Sequence, residues 1–408
     1  MKQIIVNGGK PLCGEITVSG SKNAALPIIF ACILTNGISE MDNLPDIGDV
    51  RVALDLLRSF GAKIERRGSL TLIDTRRLSY VKPPQFLVEK IRASTYLIGS
   101  CLSRFGLCHL LPFGGCNFSL RPIDMHISAA ETLGASLDGE ALYCDRLRGA
   151  VIDFDKPSVG ATVNAILLAA SAKGETIVRG CAVEPHIDAL IDFLNSAGAS
   201  VIRNGREMHI VGRELHGGKI RVIGDMIEAG SYLAVGIMTD GNIKALNSPI
   251  GDMTSVIEAL RRLGADAVCE NDSISALLNG ENYLSVTASP HPGFPTDLQP
   301  IFASLMARIC GGDITDTVWQ SRFGYLDALS NFGVKSFVKQ NHANIYKSDI
   351  HNGIASCPDL RGGMACLMCA LSANGQSKIR MAETILRGYE NLEEKLCALG
   401  ADIKIEEI

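Results

Sequence analysis

The chain has 408 residues, a length that predicts two or three domains with ample core for each. Hydrophobic residues make up 47% of the chain and charged residues 20%, which is typical of a globular protein and excludes a disordered one. The formal net charge of −5 argues against nucleic acid as the main partner, because phosphate binding usually shows as a basic excess.

The 13 cysteines are odd in number and scattered, and they predict free thiols in a reducing cytoplasm rather than a disulfide framework. Cys366 and Cys369 form the one close pair. Their apolar, helix-like surroundings favour two buried helix positions over a redox or zinc motif. The eight histidines do not cluster at ligand spacing, so we predict no metal site. We also predict no signal peptide and no membrane span.

The first motif in the chain is the segment 20–27 (GSKNAALP), which follows a strand-like stretch and opens a helix-like run. It is not a Walker A motif. A lysine at a helix start opposes the helix dipole, so Lys22 indicates an anion that is also held by backbone N–H groups. An ordinary solvated lysine is the alternative.

A glycine-rich loop follows an apolar run at 108–111 and contains Gly114, Gly115 and Cys116. Paired glycines favour a loop, because glycine adopts backbone angles that other residues avoid. Arg121 would acidify a nearby thiol, so Cys116 is a candidate reactive cysteine. The alternative is a small residue in a turn.

Six segments share one pattern, in which an amphipathic helix ends at a glycine and an alternating strand follows. The repeated glycines are Gly61, Gly134, Gly198, Gly264, Gly333 and Gly400. Their near-constant spacing predicts a sixfold repeated α/β unit, in which each glycine ends a helix in a left-handed cap. Other strand-like stretches, such as 70–73, 209–211 and 283–287, disfavour a simple doubly wound sheet.

Five arginines stand in small-residue contexts that are poor for surface salt bridges: Arg92, Arg121, Arg322, Arg361 and Arg387. Arginine is the preferred bidentate partner of carboxylate and phosphate. Each arginine taken singly is structural or exposed. Together with Lys22, they suit a substrate that carries several negative charges.

Asp297 lies between Pro295 and Pro300, which restrict the backbone around it. A general base needs such fixed positioning near the proton that it removes. The alternative is an aspartate that caps the helix predicted to begin here.

Taken together, these motifs resemble the enolpyruvyl transferase family over nearly the full length of the chain. The matching segments are 20–27, 92–94, 104–106, 114–116, 121–126, 158–162, 294–297, 322–323, 359–361 and 387–390. The resemblance implies an α/β fold with two similar domains, each of three repeated α/β units (an inside-out α/β barrel). It implies a domain 22–225 with the Cys116 lid loop, a second domain formed by 1–21 and 226–408, and an active site in the cleft between them.

The resemblance also implies transfer of the enolpyruvyl group of phosphoenolpyruvate to the 3-hydroxyl of UDP-N-acetylglucosamine, with release of phosphate. This reaction belongs to peptidoglycan precursor synthesis and needs no cofactor. The Gly-Gly-Cys loop and the segment 158–160 favour this nucleotide-sugar branch over 5-enolpyruvylshikimate-3-phosphate synthases. The oligomeric state stays open.

Residue roles follow from the same resemblance. The implied catalytic residues are Cys116, which reacts with phosphoenolpyruvate and fosfomycin, Asp297 as base, Lys22 and Arg387. The implied substrate-binding residues are Asn23, Arg92, Arg121, Asp124, Lys156, Ser158, Val159, Gly160, Val318, Arg322, Asp359 and Arg361.

Several positions depart from the usual family pattern, namely Ser119, Leu120, His186, Met226, Gln320 and Leu386. All the cations expected around phosphoenolpyruvate are present, while some of their neighbours are altered. One alternative is therefore a paralogue that acts on a different nucleotide or nucleotide-sugar hydroxyl. Another is a silent homologue that binds ligand and regulates.

Overall fold

The computed structural model describes residues 2–115 and 122–408. Cys116, Ser119, Leu120 and Arg121 lie outside the described residues. The strands are β1 Lys2–Gly8, β2 Cys13–Thr17, β3 Ile38–Asp42, β4 Lys63–Arg67, β5 Leu70–Asp74, β6 Leu107–His109, β7 Ser136–Asp138, β8 Ala141–Tyr143, β9 Val151–Asp153, β10 Glu175–Arg179, β11 Ser200–Asn204, β12 Glu207–Val211, β13 Lys219–Arg221, β14 Asn242–Leu246, β15 Ala265–Glu270, β16 Ser273–Leu278, β17 Leu284–Ala288, β18 Gly312–Asp316, β19 Lys335–Lys339, β20 His342–Tyr346, β21 Ile354–Ser356, β22 Gly375–Arg380 and β23 Asp402–Glu407.

The helices alternate with these strands. They are α1 Lys22–Ala31, α2 Gly48–Ser59, α3 Gln85–Val88, α4 Leu97–Phe105, α5 Asp124–Thr132, α6 Val159–Ala169, α7 Pro185–Ser196, α8 Met226–Met238, α9 Thr254–Leu263, α10 Gln299–Ile309, α11 Tyr325–Leu329, α12 Leu360–Ser372 and α13 Leu392–Ala398. Three short 3-10 helices also bear on the site: Arg92–Tyr96, Thr296–Leu298 and Ala382–Arg387.

Five of the six sheets in the described residues share one strand pattern. In each of them a parallel pair, such as β17 and β18, is extended by two antiparallel strands, here β20 and β19. These two strands form a hairpin in four of the sheets, whereas in the fifth they are β1 and β23, which are distant in the sequence. The other four are β13-β3-β5-β4, β9-β10-β12-β11, β2-β14-β16-β15 and β21-β22-β1-β23. The sixth, β6-β8-β7, has the hairpin and its neighbour only, so far as the described residues go. The predicted α/β repeat is therefore confirmed.

The six repeated glycines all adopt the left-handed conformation, with φ between +87° at Gly333 and +110° at Gly264. Each ends a helical segment and precedes a strand, as Gly264 does between α9 and β15. A residue with a Cβ is strained at such angles, whereas glycine is not. The predicted left-handed caps are confirmed.

The described residues divide into two compact units. One, which we call the continuous unit, comprises residues 20–115 and 122–223. The other, the split unit, comprises residues up to Ser19 and Gly224–Ile408. Strand β2 precedes α1 of the continuous unit but pairs with β14 of the split unit. In the same way β13 precedes α8 of the split unit but pairs with β3 of the continuous unit.

A buried ion pair holds Ser19, the last residue of the split unit before the chain enters the continuous unit. Lys395 Nζ donates to Ser19 Oγ at 2.7 Å and to a carboxylate oxygen of Glu228, while the second oxygen of Glu228 accepts from the Ser19 N–H at 3.0 Å. Burial raises the pKa of Glu228, and Lys395 opposes that rise. The Asp225 N–H donates to the Ser19 carbonyl at 2.9 Å. The last residue before the continuous unit is thus hydrogen-bonded to the second residue after it.

Each unit has its own apolar core around helices that are buried on nearly all sides. In α8 every residue after Met226 is buried, and in α12 every residue from Leu360 to Leu371 is buried. Cys366 and Cys369 are fully buried on α12, so their predicted role as buried helix positions is confirmed. None of the described helices combines the length and the apolarity that crossing a bilayer requires.

The left-handed glycines allow a stability test of two positions in the split unit. Gly400→Ala should lower the free energy of unfolding by about 1–2 kcal/mol, since the added Cβ meets no atom within 4 Å and only the backbone is strained. Gly264→Ala should cost more, because its Cβ would lie 2.4 Å from the Gly280 carbonyl oxygen. Urea unfolding measures both, and equal losses would contradict the clash.

Candidate active site

Asp297 is the centre of the charged residues in the split unit. Its Oδ1 accepts from Arg322 Nη1 at 2.8 Å, and its Oδ2 accepts from Nε and Nη2 of Arg361 at 3.2 Å each. The side chain of Asp297 is 27% exposed, while those of Arg322 and Arg361 are 4% and 2% exposed. An ionised carboxylate is thus held at the edge of a buried cationic group by charge-assisted bonds.

The capping alternative for Asp297 is wrong. The cap positions of the 3-10 helix and of α10 are Pro295 and Leu298, and neither makes a side-chain cap. The carboxylate of Asp297 instead bonds to arginines that come from other segments of the chain.

Arg361 is a fully buried cation with donor capacity to spare. Its guanidinium carbon lies 5.4 Å from the centre of the Tyr389 ring, and the Tyr389 hydroxyl bonds to Ser231 Oγ at 2.8 Å. Burial alone would lower the pKa of Arg361, but Tyr389, Asp297 and Asp225 together raise it. Within the described residues, Nη1 of Arg361 has no hydrogen-bond partner, which suits an anionic ligand.

The buried helices of the split unit begin at polar residues. Asp225 caps α8 by accepting from the N–H groups of Ile227 and Glu228, and Asp359 caps α12 through Arg361 and Gly362. Arg387 ends the 3-10 helix Ala382–Arg387, two residues before Tyr389. Helix starts carry partial positive charge, so the helix dipoles add to the charge of the arginines.

Lys22 and Asn23 are the first residues of α1 in the continuous unit, after the cap residue Ser21. Lys22 Nζ lies 3.7 Å from Asp49 Oδ2, and the two side chains are 14% and 8% exposed. The alternative of an ordinary solvated lysine is therefore wrong. The positive charge at the start of α1 is instead placed by a buried carboxylate.

A second polar network in the continuous unit is built around Asn164 of α6. Its Oδ1 accepts from the Gly99 N–H at 2.7 Å, and its Nδ2 donates to the Thr95 carbonyl at 3.2 Å and to His126 Nδ1 at 2.7 Å. His126 therefore accepts at Nδ1 and is neutral. Burial and, to a smaller extent, the charge of Arg92 lower the pKa of His126 to about 4, against the opposing effect of Asp124.

This network brings several predicted substrate-binding residues together. A Cβ on Gly160 would lie 2.9 Å from Cε1 of His126, so the glycine lets the start of α6 approach the ring. Ser158 caps α6 by accepting from the Ala161 N–H, and Val159 opens the helix. Arg92 and Asp124 begin the 3-10 helix and α5 that flank the network. Lys156, in contrast, is exposed on the segment between β9 and α6.

Sequence reasoning missed Asp49, Asn164, Thr296 and Asp316, which position the predicted residues. Val318 is held by one of them, because its N–H donates to Asp316 Oδ1 at 2.8 Å. A single amide in the apolar run of α6 was a signal for Asn164 that could have been used. Asp49 gave no such signal, because its partner is distant in the sequence.

Known proteins resemble this chain over nearly its full length. A family model described as EPSP synthase (3-phosphoshikimate 1-carboxyvinyltransferase) matches residues 6–396. The chain belongs to the enolpyruvyl transferase family. It is 38% identical over 412 residues to "UDP-N-acetylglucosamine 1-carboxyvinyltransferase 3" of Caldanaerobacter subterraneus subsp. tengcongensis, covering 99% of each chain. It is 37% identical to "UDP-N-acetylglucosamine 1-carboxyvinyltransferase 2" of Streptococcus mutans, covering 100% of each.

Solved structures of the family share this fold. The enolpyruvyl transferase NikO from Streptomyces tendae matches with a TM-score of 0.89 and 24% identity over 99% of each chain. EPSP synthase from Acinetobacter baumannii matches with a TM-score of 0.76 and 20% identity over 100% of each. The prediction of an enolpyruvyl transferase fold, with two similar domains of three α/β units each, is confirmed.

His126 predicts a loss of stability in acid. Because the folded chain holds the pKa at about 4, below the ordinary value of 6.5, the unfolded chain binds more protons between these values. The contribution of His126 is complete above pH 6.5 and is lost as the pH falls through 4, which costs about 3 kcal/mol. Urea unfolding across this range should show a shallower pH dependence for His126→Gln than for the parent.

The matched control is His209→Gln. His209 is an exposed histidine whose pKa is raised by hydrogen bonds to Glu175 and Glu207, so its contribution has the opposite sign and is lost as the pH rises. The same pH slope in the parent and in His126→Gln would contradict the assignment.

Proposed function

We propose that this protein transfers the enolpyruvyl group of phosphoenolpyruvate to the 3-hydroxyl of UDP-N-acetylglucosamine and releases phosphate. The observation that carries the proposal is the buried pair Arg322 and Arg361 around Asp297, with Nη1 of Arg361 left for a further acceptor. The names of relatives that match over their full length support this acceptor. The product is a precursor of peptidoglycan, and we place the reaction in the cytoplasm.

The reaction proceeds by addition and elimination. The sugar oxygen attacks C2 of phosphoenolpyruvate while its proton passes to a base and C3 gains a proton. Loss of a proton from C3 and of phosphate then leaves the enol ether. A base at the hydroxyl, an acid at C3 and cations around the carboxylate and phosphate are all required.

We assign Asp297 as the base. An ionised carboxylate offers about four acceptor positions, so it retains capacity for a proton after bonding to two arginines. Its exposure of 27% leaves it accessible, unlike its partners. Cys116 would be the acid, from outside the described residues.

Lys22, Arg92, Arg121, Arg361 and Arg387 would hold phosphoenolpyruvate, with Arg322 in the same anionic site. The proposed sugar-nucleotide site comprises Asn23, Asp124, Lys156, Ser158, Val159, Gly160, Val318 and Asp359. It assigns no step to a metal or an organic cofactor.

Arg361→Met tests the observation that carries the proposal. The variant removes the buried charge, and kcat/KM for phosphate release should fall by about 100-fold or more, because such clamps stabilise charge in the transition state. Arg308→Met is the matched control, since Arg308 pairs with Asp240 at 3.1 Å on the same unit and faces solvent. It should leave phosphate release unchanged.

The parent protein and Cys116→Ser complete the assay. The parent should release phosphate from phosphoenolpyruvate only when UDP-N-acetylglucosamine is present, and Cys116→Ser should lower or abolish that release. If phosphate is released only with a different nucleotide, that nucleotide would replace UDP-N-acetylglucosamine as the proposed acceptor. No release with any acceptor, although ligands still bind, would overturn the enzymatic proposal.

A further inference from the structure

We propose that Asp316 is a positioning residue for the reaction, fixing Asp297 and Arg322 through the Thr296 hydroxyl. The inference rests on the proposed function. Asp316 ends β18 and is fully buried. It contacts neither arginine in the hydrogen bonds described above, so its effect passes through other groups.

The carboxylate of Asp316 accepts four hydrogen bonds from two segments of the chain. Oδ2 accepts from Thr296 Oγ1 at 2.6 Å and from Gln299 Nε2 at 3.2 Å. Oδ1 accepts from the N–H groups of Val318 and Trp319, both at 2.8 Å. Thr296 and Gln299 stand on either side of Asp297, so Asp316 fixes the backbone that carries the base.

Asp316 also affects the position of Arg322, because it determines which partner the Thr296 hydroxyl donates to. Asp316 accepts at every contact, so the Thr296 hydroxyl must donate to it, and Thr296 Oγ1 is then an acceptor for Arg322 Nη1 at 3.2 Å. The same Nη1 donates to Asp297 Oδ1 at 2.8 Å. A change of polarity at Asp316 would therefore displace Arg322 from its position beside the base.

The other carboxylate oxygen of Asp316, Oδ1, holds the turn that leads to Arg322. The bonds to Val318 and Trp319 tighten the chain after β18, and the Arg322 N–H donates to the Trp319 carbonyl at 3.1 Å. Arg322 is thus fixed both at its backbone and at its guanidinium group. Burying a carboxylate without a paired cation is costly, and four hydrogen bonds offset that cost.

Thr296→Val is the sharpest test, because it removes only the hydroxyl and keeps the shape of the side chain. Phosphate release at saturating phosphoenolpyruvate and UDP-N-acetylglucosamine should show kcat lowered by about 10- to 100-fold, with KM changed far less. The acidic limb of the pH profile of kcat should move to higher pH, because ionised Asp297 loses a well-placed cation. Thr296→Ser, which keeps the hydroxyl, should restore both.

Asp316→Asn should lower kcat at least as much, because its amide cannot accept from Thr296 and Gln299 while its one oxygen accepts from Val318 and Trp319. Asp313→Asn is the matched control on the same strand, where Asp313 bonds to Ser285 and Tyr283 at the surface. It should retain the parent's kcat. Parental kcat and pH profile in Thr296→Val would overturn the proposal, and so would equal losses in Thr296→Ser and Thr296→Val.

An independent measurement separates this proposal from the proposed function. If the parent releases no phosphate with any acceptor, the function fails, but the coupling of the residues can still be tested by urea unfolding. Asp316→Asn, Asp297→Asn and the double variant should then give non-additive losses of stability, because the residues share one hydrogen-bonded network. Additive losses would overturn the positioning role.

Discussion

The first turn of a helix presents N–H groups that have no partner within the helix, and burial makes each of them costly if left unsatisfied. This constraint shapes the present structure, because α1, α6, α8 and α12 lie in apolar cores. Ser21, Ser158, Asp225 and Asp359 meet the constraint by capping these four helices. Polar side chains therefore stand at the starts of these four helices, beside residues of the candidate site.

The same helix starts carry partial positive charge, to which buried arginines add full charges. Such an arrangement is stable only with carboxylates nearby, and Asp297 and Asp49 supply them in the two units. Nη1 of Arg361 is buried and lacks a partner among the described residues, so it retains a donor for an acceptor that reaches it. Burial of the arginines thus prepares the binding of charge in advance.

The repeated architecture could be predicted from the sequence because its signal is local. A glycine such as Gly264 by itself favours the left-handed conformation that it adopts. One such glycine is weak evidence for a repeat, whereas six at near-constant spacing are strong evidence. The candidate base Asp297 was also visible, between two prolines. Its support was not visible, since Asp316 lies 20 residues from Thr296 and only folding brings them together. Spacing likewise left Lys22 ambiguous, and only its pairing with Asp49 decided against a solvated side chain.

The place of β1 and β2 in the split unit bears on the order in which the chain can fold during synthesis. The described residues of the continuous unit end at Ile223, so this unit can be complete while the second half is still being made. The split unit must wait, because β1 pairs with β22 and β23 near the other end of the chain. Until then β1 and β2 have no strand to pair with, and nascent chains expose those edges to each other.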